Sequence, residues 1–326
     1  MLRFPLFLAM LMVLLLPGDA LAWGPGIHMA TASWLLDHLP LLPAALAQVV
    51  GAHPAAFRYG SLSADIFIGK GCRVKPGHSH NWSTAHALLD EADTPELRAY
   101  AAGYLAHLAA DTVAHNHYVP NLLPGTPGSG KFSHVYIEMQ ADRLVEWDGA
   151  SYRLFDAMSE ADSALLRATD KAALPFRLKK QLFRGSVAVA GRQSFRRSLR
   201  IVHRMMPHAA DRAYLGMMLD ISARAVVDVL RDPYGSAVLD IDPIGSEALD
   251  TARTACRCAT PLAFLTVDRE LRFPLDARLA SPRASLPTQP ESCLSPARVL
   301  LRLMVDACRL APGRVAVLCR LSGCPA

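Results

Sequence analysis

Charged side chains are scarce in this 326-residue chain, at 19%, and aromatic ones scarcer, at 7%. So low a charge, beside 52% hydrophobic residues, excludes an extended disordered chain and a coiled coil. Nor is there a strong excess of one sign: 34 Lys and Arg against 29 Asp and Glu leave +5, too mild to point to a nucleic-acid partner. Charge by itself selects no ligand, and no specific nucleic-acid binding is expected. Beyond residue 22 the chain also lacks the ~18 uninterrupted apolar residues that a membrane-spanning helix needs. Its most apolar late segment, 299–321, is broken by Arg302, Asp306, Arg309, Arg314 and Arg320.

The first 22 residues differ from the rest. Arg3 precedes an apolar run from Phe4 to Leu16, and Ala20-Leu21-Ala22 closes it. A short positive end, an apolar core too short to span a bilayer and an A-x-A site together read as a secretory signal peptide. Cleavage at Ala22–Trp23 predicts a secreted or periplasmic protein. In an oxidising compartment the late cysteines, Cys256, Cys258, Cys293, Cys308, Cys319 and Cys324, could staple a small loop-rich region, although sequence cannot choose among their pairings. Cys72 stands apart from them.

Strand-like alternation is nearly absent between Thr31 and Arg231, and helical spacing recurs. Thr94-Pro95-Glu96-Leu97 reads as an N-cap and first turn, followed by Leu97, Ala101, Tyr104, Leu105 and Leu108 at intervals of three and four. Further helices are expected at 27–39, 42–50, 83–91, 133–147, 160–169, 176–189, 193–206 and 210–231. The fold is therefore expected to be all-α. Segments 69–77 and 120–130 are dense in glycine and proline and read as loops, and 272–298 reads as a linker. This divides the chain into a signal peptide at 1–22, a helical domain at 23–245 and a Pro/Arg/Cys-rich region at 246–326.

Ten of the twelve histidines lie before residue 135, several at metal-ligand spacing. His107, Asp111 and His115 fall at i, i+4 and i+8, one face of a helix about 12 Å long at ~1.5 Å per residue. His134 and Glu138 repeat the spacing, with Asp142 one turn further. Imidazole and carboxylate at i, i+4 suit Zn²⁺, which accepts both ligand types at ~2.0–2.2 Å. One such pair is most often a buried histidine beside a solvated acid, but two of them in otherwise apolar helices favour a metal. Processing after Ala22 adds a free α-amino group at Trp23, able to chelate together with its own carbonyl, and His28 follows five residues later.

These residues resemble the zinc-dependent phospholipase C family, which is related to the single-strand-specific zinc nucleases. The shared motifs run from Trp23 to Trp147: a mature N-terminal Trp, a nearby His, an Asp with a His about 15 residues on, H-x-x-x-D with a further His, and H-x-x-x-E/D. The resemblance implies a mainly helical, multi-helix bundle with three zinc ions per chain. By position, one would take Asp65, His80, His107 and Asp111, and a second His134, Glu138 and a His after Asp111. The third would take Trp23, His28 and Asp111, whose carboxylate bridges.

Two positions stay open. The helical face favours His115 over His117, and spacing weakly favours His80 over His78. The implied chemistry is phosphodiester hydrolysis by metal-activated hydroxide, with Asp65 orienting or deprotonating the attacking water. A phospholipid head-group phosphodiester is the expected substrate. The rivals are a nuclease or 3′-nucleotidase on the same metals, which the low aromatic content mildly disfavours, and a non-catalytic metal-binding surface protein. Nine Lys and Arg with no acid between Arg177 and Arg204 suit peripheral contact with anionic head groups as well as they suit a solvated face.

Overall fold

The computed structural model describes residues 23–67, 77–126, 130–205, 212–258 and 273–280. The signal segment, most of the loop at 69–77, most of the linker at 272–298, Cys72 and the four cysteines from Cys293 onward lie outside the described residues, as do the side chains of Cys256 and Cys258.

Among the described residues the fold is all-α, with no strand. In chain order the helices are α1 (Pro25–Asp37), α2 (Ala44–Ala52), α3 (Pro54–Ser63), α4 (Trp82–Asp90), α5 (Pro95–Val113), the short α6 (Val119–Leu122) and α7 (Gly130–Leu144). They continue as α8 (Ser159–Thr169), α9 (Ala173–Ala190), α10 (Gln193–Met205), α11 (Arg212–Arg231), α12 (Ser246–Cys258) and the single turn α13 (Ala277–Ala280).

α5 is the axis of the domain. It starts as its sequence predicts, with Thr94 Oγ1 accepting the Leu97 N–H at 3.2 Å and Pro95 in the first turn, where no amide is needed. From Ala99 to Val113 every residue is buried, so the helix has no solvent face and is sheathed by α3, α4 and α11. Leu105 and Leu108 each gain about 1.5–3 kcal/mol from that burial. Small residues let the sheath close. A Cβ on Gly60 would lie 2.1 Å from the Tyr100 carbonyl oxygen, and one on Gly103 would lie 2.0 Å from that of Phe57. The backbones of α3 and α5 therefore touch, and this contact aligns the C-terminal end of α3 with the middle of α5.

Three departures from the expected elements matter. α3 and α12 lie outside the helices expected from the sequence: Gly60, Ser61 and Ser63 are poor helix formers, and packing rather than propensity keeps α3 helical. The presumed loop at 120–130 begins as helix, because Pro120 and Pro124 occupy first-turn positions of α6 and of the 3₁₀ turn Leu123–Gly125. Finally, α5 passes into a π-helical turn at Ala114–Tyr118, so His115 does not simply extend the α-helical face of His107 and Asp111.

Candidate metal centre

Asp111, in the last full turn of α5, is the hub of the site. It is wholly buried, and its Oδ1 lies 3.2 Å from His28 Nε2 on α1. Its Oδ2 lies 3.1 Å from His80 Nε2 and 3.2 Å from His107 Nε2. Each oxygen thus faces a different set of imidazoles. Asp65, in a 3₁₀ turn directly after α3, adds an oxygen 3.3 Å from His80 Nε2 and 3.8 Å from His107 Nε2.

Backbone carbonyls set the histidine tautomers. His107 Nδ1–H donates to the Ser61 carbonyl at 3.0 Å, across the close α3–α5 contact, which leaves an Nε2 lone pair aimed inward. That nitrogen faces His80 Nε2 at 3.1 Å. His80 is carried by the turn before α4, where Tyr104 donates to the Ser79 carbonyl and the His80 N–H donates to His78 Nδ1 at 3.0 Å. The structure therefore brings His80 into the cluster, while His78 braces the turn behind it.

The π turn separates the other two candidates. His115 Nδ1–H donates to the Pro243 carbonyl at 2.7 Å, and its ring lies 5.7 Å from that of His134 and 6.4 Å from that of His80. The His117 ring instead faces the segment Phe273–Asp276. Gly245 permits the His115 contact: its φ is +60°, and a Cβ there would lie 2.4 Å from the His115 carbonyl oxygen. On α7, His134 Nε2 lies 2.7 Å from Glu138 Oε1, both buried. The Trp23 indole is buried, donating to the Ala110 carbonyl at 3.0 Å and to Ser222 Oγ at 3.2 Å, next to Asp111 in sequence.

The electrostatics demand positive charge. Burial pushes the Glu138 carboxyl well above its ordinary range, and Asp65, Asp111 and Asp142 push it further. Burial also opposes ionisation of Asp111, yet His107 and His28 hold it well below the usual carboxylate range. Burial and His107 lower the pKa of His28, whereas for His107 the attraction of Asp111 and Asp65 outweighs burial and raises it. Among the described residues, no hydroxyl or amide N–H reaches either oxygen of Asp111 or of Glu138.

These donors fit zinc. Two ligand atoms held ~2.0–2.1 Å from one tetrahedral ion lie ~3.3 Å apart, close to the 3.1–3.2 Å between Nε2 of His80, Nε2 of His107 and Oδ2 of Asp111. Two groupings have ligand atoms all within 4.8 Å of one another: His28, His107 and Asp111, and Asp65, His80 and His107.

Asp142 is the residue whose role sequence reasoning missed. Its Oδ2 and Oδ1 accept the N–H groups of Gly26 and Ile27, each at 2.9 Å, so α7 caps the start of α1 and fixes the position of His28. Its place one turn beyond Glu138 was visible, but its partner lies more than a hundred residues away. Pro243 and Gly245 carried no signal at all.

A family model described as zinc dependent phospholipase C matches residues 27–173. The match contains every clustered residue from His28 to Glu138, and Trp23 lies just before it. No curated protein matches the chain, and no solved structure does. The family implies a zinc-dependent hydrolase of phosphodiesters, which agrees with the buried carboxylate and imidazole clusters. Over residues 27–173, a little under half of the chain, the protein is similar to the zinc-dependent phospholipase C family.

Proposed function

We propose that this chain is an exported phospholipase C, secreted or periplasmic after cleavage at Ala22–Trp23, that cuts head-group phosphodiesters of phospholipids with three zinc ions. Asp65, His80, His107 and Asp111 would hold one zinc, and His115, His134 and Glu138 a second. His28 and Asp111, with the amino and carbonyl groups of processed Trp23, would hold the third. Bound zinc supplies an attacking water of lowered pKa and neutralises charge building on the phosphoryl oxygens.

The chain's own residues do the rest. Asp65 stands within 3.3 Å of His80 Nε2, at the mouth of its turn, where a carboxylate can orient a water and accept its proton. The Ser61 and Pro243 carbonyls keep His107 and His115 in one tautomer and one orientation, which raises their basicity as ligands.

One observation carries the lipid reading over a nucleotide one. A pocket beside Glu138 is walled by Pro25, Val135, Met139, Phe183, Ala190 and Phe195. The pocket is small, with Asp142 and Ser186 as its other polar members, and its mainly apolar lining favours the apolar part of a lipid over a base.

The test is elemental analysis of the processed protein followed by assay on phosphatidylcholine, a single-stranded oligonucleotide and a 3′-nucleotide. About three zinc ions per chain with release of phosphocholine and diacylglycerol is the expected result. Phosphatidic acid as the product would mean cleavage on the other side of the phosphate, and turnover confined to the nucleotides would mean a nuclease. A zinc-free protein with no turnover would sink the enzyme reading. A protein retaining residues 1–22 is expected to be inactive, and full activity in it would refute the Trp23 assignment.

A further inference from the structure

α9 has a face that the domain does not use. Phe176, Lys180, Phe183 and Val187 are its buried stripe, and the Lys180 ammonium fixes the helix's rotation, 2.5 Å from Asp162 and over the Tyr59 ring. At about 100° per residue, Leu174, Leu178 and Leu182 fall on the opposite side. They are 79%, 65% and 61% exposed, and they make up three of the five exposed large hydrophobics among the described residues. Pro175 is exposed between the first two, and Arg177 and Lys179 flank the ladder, one on each side. Three solvent-facing leucines on one helix mark an interaction surface rather than scattered exposure.

The inner side of the same helix reaches the proposed active site. Phe183, Ser186 and Ala190 line the apolar pocket together with Glu138, Met139 and Phe195. A helix with leucines outward, cations at the flanks and the substrate pocket behind it has the composition of an in-plane membrane-surface helix.

We propose that the outward face of α9 docks this protein on an anionic lipid bilayer, with Leu174, Leu178 and Leu182 entering the head-group boundary and Arg177 and Lys179 meeting lipid phosphates. The placement of the pocket over lipid rests on the phospholipase reading above; the docking itself does not. Charge decides the occupant. The C-terminal stretch 281–326 carries six arginines against Glu291 and Asp306, so it does not complement this basic helix. A second copy would set like charges against one another.

The experiment is vesicle flotation of the processed, zinc-loaded full chain with phosphatidylcholine vesicles, with and without phosphatidylglycerol. The variants are the triple substitution L174Q/L178Q/L182Q and the double substitution R177Q/K179Q. All five positions are away from the pocket, so circular dichroism and turnover of a soluble short-chain phosphodiester are expected to stay at wild-type levels. The leucine variant is expected to lose partitioning about tenfold or more. The charge variant is expected to lose only the preference for anionic vesicles, an effect that added salt reproduces.

Unchanged flotation of the leucine variant would overturn the proposal, as would equal wild-type binding to neutral and anionic vesicles. So would a wild-type dimer that the leucine variant splits while vesicle binding persists. Vesicle binding through the ladder with no phosphodiester hydrolysis would defeat the catalytic reading alone, and hydrolysis of lipid without vesicle binding would defeat the docking alone.

Discussion

Asp111 and His28 meet at 3.2 Å through Oδ1, while Oδ2 of the same carboxylate faces the other two imidazoles of the hub. One side chain thereby links two clusters of donors. Asp111→Asn replaces one of those oxygens with an amide nitrogen that cannot ligate. We expect at least about a 100-fold loss of phosphodiester turnover and of zinc content, with helical circular dichroism retained. Unchanged turnover would remove Asp111 from the centre of the site.

His115 and His117 are two residues apart and point to different neighbours. His115→Ala deletes a ring held against His134, and we expect the zinc content to fall by about one ion per chain. His117→Ala deletes a ring facing Phe273–Asp276, and zinc content is expected to be unaltered while thermal stability drops. The reverse pattern in elemental analysis would move the ligand to His117.

The contact of α3 with α5 leaves no room for a methyl group at Gly103. Gly103→Ala is expected to destabilise the chain by about 2–4 kcal/mol, despite the better helix propensity of alanine. It also pushes Ser61 away from His107, so zinc affinity falls with stability. A urea denaturation midpoint equal to that of the parent would show that the backbones are not in contact.

Burial raises the Asp142 carboxyl to about 7. A carboxyl whose folded pKa exceeds its unfolded value of about 3.9 contributes stability that is fully present below that value and is lost as pH rises towards 7. In metal-free protein the parent is therefore expected to lose stability between about pH 4 and pH 7 relative to Asp142→Asn, by up to about 1.4 kcal/mol per pH unit. Thermal melts of both proteins across that range, in chelator, measure the difference. Parallel curves would mean that Asp142 is ionised throughout.

Much of the site was legible because it is local. The spacings of His107 to Asp111 and of His134 to Glu138 follow from 3.6 residues per turn, and both pairs adopt the expected i, i+4 relationship. A straight helix favours His115, whereas in the structure its ring is carried by a π turn and held by the Pro243 carbonyl. Asp142 could be placed one turn beyond Glu138 but not given a partner, since hydrogen bonds to Gly26 and Ile27 leave no trace in local spacing.

The sequence by itself determined the all-α class, the start of α5 and the pairing of donors within α5 and α7, because periodicity and capping act over a few residues. Tertiary structure decided that His28, Asp65 and His80 converge on Asp111, that Asp142 ties α7 to α1, and that the α9 leucines face outward. Each of these depends on how helices distant in sequence pack, and that packing is governed by close approaches such as Gly60 on Tyr100 and by buried pairs such as Lys180 with Asp162.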